Sequence, residues 1–150
     1  MSNSIQLYTI GFTQKSAQDF FGLLAANQIQ VLVDIRLKPN SQLGGFAKQR
    51  DLPYFLQSLI NCDYVHNLDM APTADLLGDY RHDGDWGHYE RGFTRLLNER
   101  ALITTLDRHW WESHRTCLLC SEHEPDFCHR RLVAEYLASH WKTIDIHHLM

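Results

Sequence analysis

The sequence has no long hydrophobic run and no strong charge imbalance. No apolar stretch among its 150 residues approaches the roughly 18 residues that a membrane-spanning helix needs. The first residues also lack the basic and apolar segments of a secretory signal peptide, so we expect a cytoplasmic protein that does not contact membranes. The formal net charge of -4 excludes an overall positive field, so nucleic acid is possible as a partner but not favoured.

Cysteine is also scarce, and its spacing excludes a zinc ribbon with two Cys-x-x-Cys knuckles. Only Cys117 and Cys120 have that local spacing, while Cys62 and Cys128 stand apart. In a strand, two side chains three positions apart point to opposite faces of the sheet, so this pair makes a poor chelate. In a cytoplasmic protein we expect all four thiols to be reduced rather than bridged.

Strand-like and helix-like segments alternate along the chain, which has the length of one domain, residues 1–150. Strands are predicted over residues 5–10, 31–35, 62–66, 116–122 and 143–147. Helices are predicted over residues 16–27, 48–60 with either a start or a kink near Pro53, two stretches from residue 86, and a last helix opened by Pro125, with loops at 37–47 and 67–85. This alternation favours a three-layer α/β/α fold, Rossmann-like, with a mostly parallel sheet of about five strands.

Polar residues follow the apolar strands, and a parallel sheet brings all strand ends to one edge. The residues expected there are Gly11, Asp34 with Arg36, His66, Cys120 with Glu122, and His147. Such clustering predicts a ligand-binding site. Two structural alternatives stay open, because Gly11 can simply make the turn and Asp34 can simply pair with Arg36.

The segment that follows the fourth strand has the features of an anion site. If Pro125 takes the first helical position, the free N–H groups of that helix start face the loop, with His129 and Arg130 beside them. An arginine is suited to bidentate contact with phosphate or carboxylate, whereas Arg131 points about 100° away toward solvent. The sequence therefore predicts a small anionic ligand, phosphate-bearing or nucleotide-like.

Thiol and imidazole groups near this helix are the candidates for chemistry. The catalytic candidates are Cys120, Glu122, Cys128, His129 and His66. A helix start and neighbouring cations would lower a thiol pKa and make a nucleophile. A phosphatase-like or rhodanese-like loop is disfavoured, because neither Cys120 nor Cys128 is followed by Arg after five residues. In the alternative, these thiols only pack the strand against the helix.

A metal site is the third possibility for the same segment. Cys120, His123, Cys128 and His129 are residue types that suit zinc. However, adjacent Cys128 and His129 would diverge on a helix, so the sequence predicts no metal ligand set, and it specifies no cofactor. A structural zinc site or a thiol-redox site stays open as an alternative.

Short motifs along nearly the whole chain match a known pattern. They are Thr-Ile-Gly at 9–11, Val-Asp-Ile-Arg at 33–36, Phe46 with Lys48, Tyr-Val-His at 64–66, Asp-Tyr-Arg at 79–81, Trp86, Cys-Ser-Glu at 120–122, Pro125 and Cys-His-Arg at 128–130. With these motifs the chain resembles the DUF488 family of bacterial and archaeal proteins, to which no activity is assigned. The resemblance implies a compact α/β domain whose polar segments face one cleft. The chain departs from the family at Phe12 and Thr13, where relatives typically have His-Ser.

Together these features favour an enzyme that binds a small anion at the sheet edge, without indicating the reaction. The residues predicted to hold the ligand are Gly11, Thr13, Asp34, Arg36 and Arg130. The alternative is a non-catalytic module that binds nucleic acid or protein through local arginines and exposed aromatic residues such as Trp86 and Tyr89. The acidic net charge weighs against the nucleic-acid version of that alternative.

Overall fold

The computed structural model describes residues 4–40 and 45–150, which form five strands and six α-helices. The strands are β1 (Ile5–Gly11), β2 (Val31–Asp34), β3 (Asp63–His66), β4 (Thr116–Cys120) and β5 (Ile144–Leu149). The helices are α1 (Ala17–Ala26), α2 (Leu52–Ile60), α3 (Ala74–Asp83), α4 (Trp86–Glu99), α5 (Arg108–Ser113) and α6 (His129–His140). Within the two described ranges, no helix has both the length and the apolar character needed to cross a membrane.

The five strands form one sheet in the order β3-β2-β4-β1-β5, and every neighbouring pair is parallel. Helices α1 and α2 pack on one face and α4 and α6 pack on the other, so the predicted three-layer α/β fold is confirmed. The connections from β1 and β2 lead toward the β3 edge, and those from β3 and β4 lead toward the β5 edge. The adjacent strands β2 and β4 therefore form a topological switch point, where open α/β sheets bind ligands at their carboxyl ends.

Local sequence signals account for the first elements. The side chain of Ser16 accepts a hydrogen bond from the Asp19 N–H at 3.0 Å and so caps α1. All four residues of β2 are buried, as expected for an apolar strand covered on both faces. Helix α2 begins at Leu52 with Pro53 in its first turn, which confirms the start predicted near this proline.

The core has two halves, one on each face of the sheet. Leu118 and Cys120 of β4 pack with α4 and α6, whereas Cys117 and Leu119 pack with α1 and α2. The expectation that Cys117 and Cys120 point to opposite faces is thus confirmed, because strand side chains alternate.

Two predictions about the middle and end of the chain are wrong. Residues 67–85 are not irregular, since Thr73 accepts a hydrogen bond from the Leu76 N–H and caps α3. His147 does not emerge at the sheet edge, because β5 continues to Leu149 and the His147 ring stacks on Tyr8 with centroids 4.7 Å apart. Residues 41–44 of the predicted loop 37–47 lie outside the described residues.

The start of the last helix also differs from the prediction. Pro125 does not open it, because residues 125–128 form a separate turn closed by the Cys128 N–H donating to the Pro125 carbonyl at 3.2 Å. Cys128 then has extended backbone, with φ -136° and ψ 139°, and α6 begins at His129. The extended residue changes the direction of the Cys128 side chain, with consequences for the site.

Candidate functional site

A cavity of about 360 Å³ lies at the carboxyl ends of β2 and β4, at the switch point of the sheet. We call it the site cavity. It is lined by Arg36, Leu37 and Lys38 after β2, by Cys120, Ser121 and Glu122 after β4, by Ala74, Leu77, Gly78, Tyr80 and Arg81 of α3, and by Pro72, Trp86, Tyr89, Phe127, Cys128 and His129. The topology therefore brings together segments that are up to about ninety positions apart in the sequence.

Three buried side chains form what we call the Cys/His cluster on one wall of the site cavity. They are Cys120, Cys128 and His129, with 5%, 2% and 7% of their surfaces exposed. One sulfur or nitrogen atom of each lies within 4.8 Å of the other two. The cluster thus places two thiols and an imidazole next to a ligand-sized space.

The tautomer of His129 follows from its hydrogen bonds. Its Nε2 lies 2.7 Å from the carbonyl oxygen of Ile35, which can only accept, so Nε2 carries a proton. The other ring nitrogen, Nδ1, lies 3.3 Å from Cys120 Sγ. When the ring is neutral, a lone pair of Nδ1 therefore faces the thiol of Cys120.

Cys128 and His129 converge on Cys120, so the expectation that their side chains diverge is wrong. That expectation assumed two consecutive helical residues. Cys128 instead is the extended residue before α6, and His129 is the first residue of that helix. A break in helical geometry between them lets both side chains reach the same point.

The two thiols of the cluster differ in acidity. Burial raises the pKa of Cys120, but hydrogen bonds from Cys128 and from the backbone N–H groups of Ser121 and Glu122, together with the charge of Arg130, outweigh burial and lower it. Burial and the neighbouring Cys120 raise the pKa of Cys128 well above its ordinary value. Cys120 is therefore the more acidic of the two thiols.

Asp34 and Arg36 form a buried ion pair behind the site cavity. Arg36 Nε and Nη2 donate to the two oxygens of Asp34 at 2.8 and 2.7 Å, and Nη2 also donates to the Ala47 carbonyl at 2.6 Å. Tyr64 donates its hydroxyl to Asp34 at 2.6 Å. The pairing that the sequence left open is thus present. Within the described part of the chain, the buried Nη1 of Arg36 has no hydrogen-bond partner.

Gly11, Thr13 and Arg130 hold the loop between β4 and α6. A Cβ on Gly11 would lie 1.6 Å from the Glu122 carbonyl oxygen, so only glycine permits this approach. Thr13 donates to the Ser121 carbonyl at 2.8 Å. Arg130 is fully buried and donates to the carbonyl oxygens of Glu122 and His123 and to the hydroxyl of Thr9. These residues contact the loop, and none of them lines the site cavity.

The remaining candidates separate into two groups. Glu122 lines the site cavity and is exposed. His66 lies outside it, where its Nε2 donates to the Arg36 carbonyl at 2.7 Å. His66 therefore supports the backbone after β2, while Glu122 stands with the Cys/His cluster at the cavity.

Helix α3 supplies the wall that sequence reasoning missed. Tyr80 and Arg81 belong to a segment predicted to be irregular, so periodicity did not place them beside the site cavity, and only the family motif at 79–81 pointed to the cleft. Thr73 before the apolar positions 76, 77 and 80 was the available signal for this helix. Tyr89, expected to be an exposed aromatic residue, is 3% exposed and packs in the core.

Comparison with known proteins gives a family and no activity. No curated protein and no solved structure matches the chain. A family model described as "Domain of unknown function DUF488" matches residues 16–137, which is more than half of the chain and includes every segment that lines the site cavity. The chain belongs to the DUF488 family.

Proposed function

We propose that this protein is an enzyme that binds a small anionic molecule in the site cavity and acts on it with the Cys/His cluster. The observation that carries the proposal is a local excess of positive charge beside buried, reactive groups. Lys38 and Arg81 line the site cavity against the single carboxylate of Glu122, and Arg36, which also lines it, has its charge offset by Asp34. The chain as a whole is acidic, with a formal charge of -4, so this excess is specific to the cavity.

The unpartnered nitrogen of Arg36 supports the same conclusion. A buried donor without a partner costs about 1–3 kcal/mol, and more when the group is charged. Nη1 of Arg36 is such a donor among the described residues, and Arg36 lines the site cavity. An oxygen atom of an anionic ligand would supply the missing acceptor once the side chains that cover Nη1 move aside, because this nitrogen is buried.

The size and walls of the site cavity set the class of ligand. A volume of about 360 Å³ is at the lower end of the range for small-molecule pockets. Tyr80 and Trp86 line it with aromatic surface beside the cationic groups. A phosphate-bearing or carboxylate-bearing molecule of nucleotide size or smaller fits this combination.

The proposal is tested by ligand-induced stabilisation with inorganic phosphate, a sugar phosphate and a nucleoside monophosphate. A ligand that binds only the folded protein raises the melting temperature as its concentration exceeds the dissociation constant. We expect a Lys38→Ala/Arg81→Ala double variant to lose affinity by about tenfold or more, because hydrogen bonds to charged groups contribute about 1.5–3 kcal/mol each.

An Arg91→Ala/Arg95→Ala double variant is the matched control. It removes the same number of positive charges, two, from exposed positions on α4 that lie outside the site cavity. If both double variants weaken the anion equally, or if no anion stabilises the wild type, the proposed function is wrong. Arg130→Ala is unsuitable for this test, because it removes the hydrogen bonds that hold the loop.

A second candidate is a thiol-redox function, favoured by the hydrogen bond between Cys128 and Cys120 within the cluster. Their sulfur atoms lie within 4.8 Å of each other, and a disulfide requires them to approach to about 2.05 Å. Mild oxidation followed by peptide mass spectrometry tests it, with a Cys120–Cys128 bridge as the expected product. Bridges that instead include the buried Cys62 or Cys117 would indicate unfolding rather than function.

A further inference from the structure

We propose that the Cys/His cluster binds one divalent transition-metal ion of the zinc type. The ligands are Cys120 Sγ, Cys128 Sγ and His129 Nδ1, and the fourth coordination position is open to the site cavity. This inference deepens the proposed function, and only its last step, contact between the metal ion and the bound anion, rests on that function.

The distances fit a tetrahedral site. Zinc–sulfur bonds of about 2.3 Å and zinc–nitrogen bonds of about 2.0–2.1 Å place tetrahedral ligand atoms about 3.6–3.8 Å apart. Cys120 Sγ and His129 Nδ1 are 3.3 Å apart, and all three ligand atoms lie within 4.8 Å of one another. Side-chain movements of about 1 Å or less therefore bring the three atoms to the separations of a tetrahedral zinc site.

The groups behind the ligands have the arrangement that metal sites use. Metal-binding histidines usually donate the other ring N–H to a carbonyl or carboxylate, which orients the ring. Here Nε2 of His129 donates to the Ile35 carbonyl at 2.7 Å, which leaves Nδ1 for the metal. The backbone N–H groups of Ser121 and Glu122 donate to Cys120, as expected around a metal thiolate.

The cluster has three ligands, and the fourth candidate from the sequence lies elsewhere. His123 is engaged with Thr13 and Lys15, where its Nδ1 lies 3.3 Å from the carbonyl of the former and 3.3 Å from Nζ of the latter. Among the described residues, the metal-ligating group at this position consists of Cys120, Cys128 and His129.

Three protein ligands with an open position are typical of catalytic rather than structural zinc. Because the cluster lines the site cavity, the open position lies where the proposed anion binds. A metal ion there would polarise an oxygen of the ligand or of a bound water. Binding of the metal ion would displace the protons of the Cys120 and Cys128 thiols, so metal uptake would release protons.

Cobalt is the probe that tests the inference, because Co²⁺ takes zinc sites and absorbs visibly. The reduced full-length protein is freed of metal with a chelator and titrated with Co²⁺. We expect one equivalent to bind, with a thiolate-to-cobalt charge-transfer band and the intense visible bands of tetrahedral coordination. The Cys120→Ser and Cys128→Ser variants should bind about 100-fold more weakly or worse, since loss of a direct ligand exceeds the 10–100-fold effect of an outer-shell partner.

Cys117→Ser is the matched control, because it changes a buried thiol of the same strand on the opposite face. It should bind Co²⁺ as the wild type does. Circular dichroism establishes that each variant is folded, and His129→Gln gives a further ligand variant that keeps both thiols. If the Cys120→Ser/Cys128→Ser double variant binds Co²⁺ as tightly as the wild type, or if the wild type shows no charge-transfer band, the metal site is refuted.

Inorganic phosphate separates this inference from the proposed function. Phosphate binding that changes the visible Co²⁺ spectrum supports both. If the chelator-treated protein binds no Co²⁺ but is still stabilised by phosphate, the metal site is refuted and the proposed function stands. Tight Co²⁺ binding with no response to any of the anions overturns the proposed function and keeps the metal site.

Discussion

Replacing Gly11 by alanine adds a single methyl group at the point where β1 passes the loop between β4 and α6. The added Cβ would lie 1.6 Å from the Glu122 carbonyl oxygen, 2.6 Å from its carbon and 2.9 Å from Nη1 of Arg130. Ordinary contact begins at 3.4 Å, so the loop backbone has to move by about 1.8 Å. No side-chain rotation relieves this overlap, because the two nearest atoms belong to the backbone.

The energetic cost follows from what that movement breaks. Overpacking of a buried position costs about 1–3 kcal/mol. Moving the Glu122 carbonyl also disrupts its hydrogen bond with Arg130, and bonds to charged groups contribute about 1.5–3 kcal/mol. We therefore expect Gly11→Ala to lower the free energy of unfolding by about 3–5 kcal/mol, a large fraction of the 5–15 kcal/mol of an average domain.

Urea unfolding followed by circular dichroism measures this loss, and Gly22→Ala is the matched control. Gly22 lies inside α1, and a Cβ there would meet nothing within 4 Å. Alanine should raise the free energy of unfolding at Gly22 by about 0.5–1 kcal/mol, because glycine is a poor helix former. If the free energy of unfolding of Gly11→Ala lies within about 1 kcal/mol of the wild-type value, the close approach between β1 and the loop does not explain why position 11 is glycine.

Two further predictions concern buried charge and buried thiols. Asp34→Asn should cost about 3–5 kcal/mol in urea unfolding, because it leaves buried Arg36 without its counter-charge, whereas Asp51→Asn in an exposed pair should cost less than about 1 kcal/mol. Equal costs would contradict the burial argument. Burial raises the pKa of Cys62 to about 12, so between the unfolded pKa of about 8.5 and 12 the unfolded chain loses a proton that the folded chain keeps. The free energy of unfolding of the wild type should therefore fall as pH rises through this window. Between about pH 8 and pH 10, the fall should be about 1–2 kcal/mol smaller in Cys62→Ala than in the wild type. Identical slopes for the two proteins would show that Cys62 does not contribute.

Much of the fold could be predicted from periodicity and capping. The continuous apolar run of β2 and the Ser16 cap of α1 are local signals, and each appears in the structure as expected. The alternation of strands and helices was sufficient to predict the parallel sheet. Helix α3 was missed because its glycine and charged residues conceal the spacing of its few apolar positions, none of which is fully buried.

The candidate site was predicted in its location and only partly in its members. Cys120, Cys128 and His129 meet at the sheet edge, but Arg130 and His66 contact neighbouring backbone instead of the site cavity. An arginine that follows a strand end looks the same in the sequence whether its donors meet a ligand or a carbonyl. Only the path of the loop after β4 separates the two cases.

By itself, the sequence determined the fold class, the edge of the sheet where the candidate site lies and the residue types available there, because these follow from local periodicity and from the geometry of parallel strands. The tertiary structure alone decided which side chains meet. Strand order made β2 and β4 neighbours, and an extended backbone at Cys128 turned two adjacent residues toward one sulfur. Distances between residues far apart in the chain depend on packing, and no local pattern encodes them.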